Sequence, residues 1–292
     1  SKSRYLLDRL LYKGVLPRYA FPTDVTTFYV FDLDSDASGR VLRFRYAPQQ
    51  GTSVALSQYA PAKRVWIDGK LWTSGALYSP FRSDLSNAWT ERKLYYECTN
   101  CGYALTREFR DGEQGLSDDC PGCGGGQTLG PSRRWIVPPG FAHPHDVQPE
   151  ESHDEQPPLS YPTRAKLTVV TPPEPEKWAQ VSERVRLHAG KYQLVVTNRG
   201  ADDKGYNYCL KCGRIEPAAL PGILKPNTPH SKPFPDEREP ICSGDRLAMG
   251  IVLGTDFYSD VLLISLRVAR PVRLVPGTYA TQVALRTLSE SI

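Results

Sequence analysis

The chain has 292 residues, with 36 Lys and Arg against 32 Asp and Glu, for a formal net charge of +4. That length supports a buried core in one large or two modest domains, and the mild basicity permits nucleic-acid contact without requiring it. No run of ~18 apolar residues is present, which excludes a helical membrane span, and no signal-peptide pattern opens the sequence, so a cytoplasmic protein is expected.

Twenty-six prolines and 23 glycines call for many turns and short elements. The one methionine stands at position 249, and the chain stops inside a helical pattern. Both features suggest a piece of a longer reading frame.

Residues 3–13 place Leu6, Leu7, Leu10 and Leu11 on one helical face, which Gly14 closes. Val25 to Leu33 is β-branched and aromatic and reads as a strand. Val41 to Tyr46 alternates with period two, a half-buried strand on which Arg43 and Arg45, with Arg40 just before it, make an exposed basic stripe. Asp68-Gly69 marks a hairpin running from Lys63 through Thr73, with Trp66 and Trp72 expected in the core. Leu94 to Glu97 leads into the first cysteine pair, and Arg134 to Val137 follows the second. The stretch 138–162 is acidic and rich in Pro and His, so an exposed linker with solvated histidines is expected. Ala165 to Val170 and Tyr192 to Thr197 read as strands around an amphipathic helix, Glu176 to His188. Three β-rich stretches follow (Leu247–Leu253, Val261–Val268, Val272–Val275), with Asp256 expected to cap a turn between the first two. Ala280 to Ile292 reads as a helix beginning after Thr278. The fold class expected is α+β: a β-rich body with two inserted zinc-binding modules, a zinc ribbon and a knuckle with three cysteines and one histidine. The divisions are a β-rich part (1–93), the ribbon (94–137), the acidic linker (138–162) and an α+β part with the second zinc site (163–292).

The cysteines carry the chemistry. Cys98, Cys101, Cys120 and Cys123 form two C-x-x-C turns with 18 residues between them. Two such turns supply four thiolates to a tetrahedral Zn²⁺. Cys209, Cys212 and Cys242 lack one ligand, which His230 supplies from the intervening loop. Disulfides are the alternative, but seven is an odd count and a C-x-x-C pair bonded to itself is a poor staple. Two structural zinc ions in a reducing compartment are expected.

Catalytic signatures are missing: the sequence has no phosphate-binding G-x-x-x-x-G-K-[ST], no G-x-S-x-G and no H-E-x-x-H. A zinc hydrolase would need an open metal position, and only the second cluster leaves room for one, should His230 not bind. Basic residues interleaved with aromatics (Arg40, Arg43, Arg45, Lys63, Arg64, Arg133 and Arg134) are candidates for holding single-stranded nucleic acid.

Six phrases occur in order: GVLPRYAFPTDV (14–25), ALSQYAP (55–61), WIDGKLWTSG (66–75), PPGFA (138–142), YCLKCGRIEP (208–217) and LGTD (253–256). Together they resemble the region after the two motor domains in large superfamily 2 DEAD/DEAH-box helicases that carry a mitomycin-repair-factor-type zinc-binding region. Relatives include the helicase of the DISARM phage-defence system and its partner subunit. The resemblance spans nearly the whole chain. It implies an accessory, non-motor part of an ATP-driven DNA translocase in phage defence or DNA repair, with ATP bound only in motor domains outside this chain. Its implied partners are DNA and those motor domains or the other subunits of a defence complex. In that family a further cysteine cluster and a Gly-Gly-rich segment lie beyond the point where this chain stops, so this chain alone is expected neither to hydrolyse ATP nor to unwind DNA. The competing reading is a scaffold that docks partner subunits without touching DNA.

Overall fold

Val25–Phe31 is the spine of the first of two units. Its β-branched and aromatic side chains are buried on both faces, the pattern of a strand covered on each side. The computed structural model describes residues 24–33, 42–151, 165–167, 175–275 and 278–291. The helix expected at 3–13, Val41 and Arg40 lie outside them.

The first unit comprises Ser1–Glu91, Ile136–Thr163 and Asn198–Gly254. Its spine pairs antiparallel with Phe44–Tyr46 and Gln49–Gly51, and parallel with Phe141–Ala142, which continues to Ala76–Leu77. Tyr29, Phe31, Phe44 and Tyr78 form an aromatic cluster with ring centroids 4.7 to 5.9 Å apart, in the tilted and edge-on arrangements that aromatic quadrupoles favour. Short helices, Thr52–Gln58 and Arg82–Thr90, complete this part. The expected hairpin is present: Arg64–Ile67 pairs with Lys70–Thr73, and Glu150–Glu151 adds a third strand. Its turn residues Asp68 and Gly69 are both left-handed, at φ 51° and 74°, as a two-residue turn between twisted strands requires. Trp72 is buried as expected, whereas Trp66 is 41% exposed. Period two puts these two residues on alternate faces, 66 outward and 72 inward.

The second unit comprises Arg92–Trp135, Arg164–Thr197 and Thr255–Ile292. Its sheet runs in the order Ala165–Leu167, Val185–Asn198, the 255–266 part of the strand Leu247–Leu266, Arg133–Ile136, Lys93–Glu97, Ala104–Glu108. The helix expected at Glu176–His188 is instead a 3-10 turn, Pro175–Lys177, followed by a hairpin of Ala179–Ser182 with Val185–Asn198. Arg186 and His188 alternate with Val185 and Leu187, so the apolar spacing also fits period two, and a neighbouring strand decides the outcome. The two β stretches expected on either side of Gly254 are one strand of 20 residues, Leu247–Leu266. Val272–Val275 is not a strand. The final helix is Tyr279–Glu290, and its Thr278 hydroxyl accepts from the Thr281 N–H, an ordinary N-cap.

Two pieces of the stretch 138–162 belong to sheets, Phe141–Ala142 and Glu150–Glu151. His143, expected in solvent, is buried: its ring nitrogens Nδ1 and Nε2 lie 2.9 and 2.8 Å from the carbonyls of Thr73 and Val147, and the neutral ring donates its one N–H to one of them. No helix among the described residues is long and apolar enough to cross a membrane.

Candidate metal centres

Three C-x-x-C-G segments fold alike. In each, the first cysteine N–H donates to the carbonyl five residues on: Cys98 to Tyr103 at 2.7 Å, Cys120 to Gly125 at 2.9 Å, Cys209 to Arg214 at 2.8 Å. The glycine four residues on donates back to that cysteine's carbonyl, at 3.0 Å for Gly102, 2.8 Å for Gly124 and 2.9 Å for Gly213. All three glycines are left-handed, with φ of 70°, 71° and 82°, a conformation that costs an L side chain ~1–2 kcal/mol. The turn brings amides round to the sulfur, as where Asn100 N–H donates to Cys98 Sγ at 3.4 Å.

In the second unit, Lys93–Glu97 and Ala104–Glu108 pair in register, with Glu97 opposite Ala104 closing on the first knuckle. Leu129 bridges to both Cys98 and Asp118 and so ties in the other knuckle. Leu94, Tyr96 and Leu129 pack with Cys98 and Cys120. The Sγ atoms of Cys98 and Cys123 are 3.7 Å apart, as are those of Cys101 and Cys120.

The other cluster lies in the first unit. Tyr206–Cys209 pairs with Ile215–Pro217 around one knuckle, and His230 stands directly opposite Cys242 in a second pairing, so both side chains share a face. The Glu216 carboxylate accepts the N–H groups of Ile223 and Leu224, which seats Leu224 against the cysteines. Cys209 and Cys242 sulfurs are 3.7 Å apart, and Cys212 Sγ is 3.3 Å from His230 Nε2.

These donor sets fit a tetrahedral ion. Ligands at 2.3 Å from zinc stand ~3.8 Å from each other at the corners of a tetrahedron, close to the 3.7 Å separations here. In each group all four ligand atoms lie within 4.8 Å of one another. Both clusters can therefore hold a metal ion, with thiolates and imidazole selecting a borderline-soft one.

Crowded sulfurs split in acidity. Burial raises the Cys98 thiol, but hydrogen bonds from Thr128 and from the amides of Cys101 and Asn100 outweigh it and hold Cys98 down to about 6. Desolvation of its sulfur pushes Cys101 up to about 12. In the buried cluster a hydrogen bond from Cys212 holds Cys209 down to about 5 and raises Cys212 in turn. The protons kept by the raised thiols are those they would release on binding Zn²⁺. A bound zinc would supply cross-linking, since all four positions are taken by protein atoms.

Two supporting residues escaped the sequence reading. Thr128 places its hydroxyl 3.4 Å from Cys98 Sγ. Arg214, right after the C-x-x-C-G turn, is buried and holds both Asp146 oxygens, at 3.1 and 2.9 Å, together with the Ser231 carbonyl at 3.0 Å. Arg214 thereby fixes the knuckle to the histidine strand. A basic residue adjoining a metal turn was the available signal.

The candidate nucleic-acid residues are divided between the units. Arg43 and Arg45 are exposed on the same side of Phe44–Tyr46. Arg64 is half-exposed and pairs with Glu150 at 2.8 Å, and Lys63 is partly buried beside it. Arg133 and Arg134 belong to the second unit, where both are half-buried. Asp256, expected in a turn, lies mid-strand in the second unit and receives Lys93 Nζ at 3.2 Å and Gln193 Nε2 at 2.6 Å.

The chain is 29% identical over 300 residues to the Druantia protein DruE of Escherichia coli (strain UMEA 4076-1). That match covers 98% of this chain and 16% of DruE, so the chain spans about a sixth of the length of this curated relative. No family model matches the chain, and no solved structure matches it.

Proposed function

We propose that this chain is a zinc-stabilised, non-motor region of a large bacterial phage-defence protein, and that it holds DNA beside a helicase motor. The observation that carries the reading is the match to DruE, which runs along nearly the whole chain yet occupies a small fraction of the relative. The sequence phrases that resemble the post-motor region of defence helicases point the same way. In this reading Cys98, Cys101, Cys120 and Cys123 hold one structural Zn²⁺, and Cys209, Cys212, His230 and Cys242 a second. Arg43 and Arg45 offer exposed guanidinium groups to phosphates, and Lys63, Arg64, Arg133 and Arg134 add charge within their own units. Arg40 completes the stripe in sequence.

Fluorescence anisotropy of the zinc-loaded chain with labelled single-stranded and duplex DNA, at low and high salt, tests the DNA role. Binding in the micromolar range that weakens steeply with salt is expected, because neutralised phosphates release counterions. Replacing Arg43 and Arg45 by Glu should reduce it at least tenfold. Absence of binding at low salt by a folded, metal-filled chain would favour the scaffold reading, to which the exposed apolar residues Tyr258 and Leu262, at 68% and 53% exposure, are suited.

A further inference from the structure

The first unit contains a cavity of about 420 Å³ that neither metal cluster uses. Ala60, Pro61, Ala62, Pro217 and Leu220 give it apolar walls, while Lys63 and Asp202 contribute one cation and one carboxylate. Its deep side is already ordered. Asn198 donates to the Leu56 carbonyl at 2.7 Å, and its Oδ1 accepts from Tyr206 Oη at 2.7 Å and from the Gly200 N–H at 2.9 Å. Those groups bond to each other, so the interior presents a ligand with apolar surface, and the charged side chains on the lining are Lys63 and Asp202.

Backbone strain gathers at the same place. Ala62, Asp202 and Asp203, at φ 68°, 51° and 59°, are three of the six non-glycine residues with left-handed backbone among those described. Asp has a polar side chain to ease that conformation, but Ala has none. Ala62 is kept there by its N–H on the Ser74 carbonyl and by Ser74 N–H on the Lys63 carbonyl, both at 2.7 Å. Strain of this kind persists where the surroundings over-determine the backbone, commonly around ligands. Desolvation lowers the pKa of the Lys63 ammonium, consistent with a cation held against the apolar wall rather than in open water.

We propose that this cavity binds a single nucleotide, with its base against the apolar walls, its phosphate on Lys63 and a base amino group on Asp202. The volume lies within the range of ordinary small-molecule sites. An ionised carboxylate only accepts hydrogen bonds, so Asp202 favours adenine, cytosine or guanine, whose exocyclic amines donate, over thymine, which has none. The nucleotide is either free in solution or an unpaired member of a DNA strand. The site requires neither metal nor the arginine stripe, and shares only Lys63 with the reading above.

Isothermal titration of the full chain with dAMP, dTMP, deoxyadenosine and the tetranucleotide (dA)₄ tests this. Submillimolar dAMP binding is expected, with dTMP and deoxyadenosine each roughly tenfold weaker. Lys63→Met should bring dAMP down to the level of deoxyadenosine, and Asp202→Asn should erase the preference over dTMP. Leu220→Trp, at a side chain 54% exposed on the rim, should abolish binding while zinc content and melting temperature stay unchanged. Tighter binding of (dA)₄ that competes with dAMP identifies a strand as the source, and weaker binding identifies the free nucleotide. No heat from dAMP up to about 5 mM, or binding indifferent to Leu220→Trp, overturns the proposal. The Arg43 and Arg45 charge reversals should leave dAMP binding intact, which separates failure of this site from failure of the DNA-holding role.

Discussion

Cys212 Sγ and His230 Nε2 face each other at 3.3 Å, both residues buried, while the Thr228 carbonyl lies 3.2 Å from the other ring nitrogen, Nδ1. A proton on Nδ1 donated to that carbonyl leaves Nε2 with its lone pair toward the sulfurs, as a metal-ligating imidazole needs. Elemental analysis should therefore find two zinc ions per chain. His230→Ala and Cys98→Ser should each reduce the content to one, and undiminished zinc in either variant would remove that residue from its ligand set.

The two clusters differ in their access to water. Cys101 and Cys123 are exposed, whereas Cys209, Cys212, His230 and Cys242 are all buried. A colorimetric chelator should withdraw zinc in two phases, and the fast phase should be the one missing from Cys98→Ser. A single rate for both ions would contradict this order.

Gly102 and Gly213 occupy the same turn position with similar φ, yet they meet different surroundings. A Cβ on Gly102 has nothing within 4 Å, while one on Gly213 would stand 2.3 Å from the Leu77 carbonyl oxygen. Gly102→Ala should cost only the backbone term, about 1 kcal/mol, with both zinc ions retained. Gly213→Ala must also displace the Ala76–Leu77 strand, so a loss of at least ~3 kcal/mol and a second zinc that dissociates readily are expected. Equal melting temperatures for the two variants would refute the contrast.

His143 ties stability to pH. Burial lowers its pKa below the ordinary 6.5, outweighing the carbonyls of Thr73 and Val147 and the charge of Asp146, which raise it. Above pH 6.5 the imidazole is neutral in both folded and unfolded chains, and its contribution is present in full. As pH falls from about 6.5 toward the lowered value, the unfolded chain takes up a proton that the folded chain still refuses, and stability is lost until the folded imidazole protonates as well. The melting temperature of the native chain should fall more between about pH 7.5 and pH 5 than that of His143→Gln. Parallel curves would exclude His143 as the titrating group.

The two cysteine clusters were legible because their signals are local. A C-x-x-C-G segment specifies its own turn, and Asp68-Gly69 specifies its own hairpin, without help from distant residues. Grouping His230 with Cys209, Cys212 and Cys242, as the structure does, took only the count of a missing donor. What escaped depends on neighbours far along the chain. Glu176 to His188 carries spacing that serves a helix or a strand, and pairing within Ala179–Asn198 selects the strand. Asp256 follows a glycine and a threonine, as turn residues often do, but Lys93 and Gln193 hold it mid-strand. His143 sits in a hydrophilic stretch, and only the carbonyls of Thr73 and Val147 explain its burial.

Each unit is woven from three separate lengths of chain, and this sets an order of events during synthesis. A ribosome releasing the chain from its N-terminal end exposes all ligands of the first cluster once Cys123 is out, within one short stretch. The second cluster must wait for Cys242, and the strand Val25–Phe31 waits for its parallel neighbour Phe141–Ala142. The ribbon is thus the first part of the molecule able to take up metal, while most of its surroundings are still being made. Zinc supply at the moment of translation, rather than after release, would then govern how much of the nascent chain reaches its finished form.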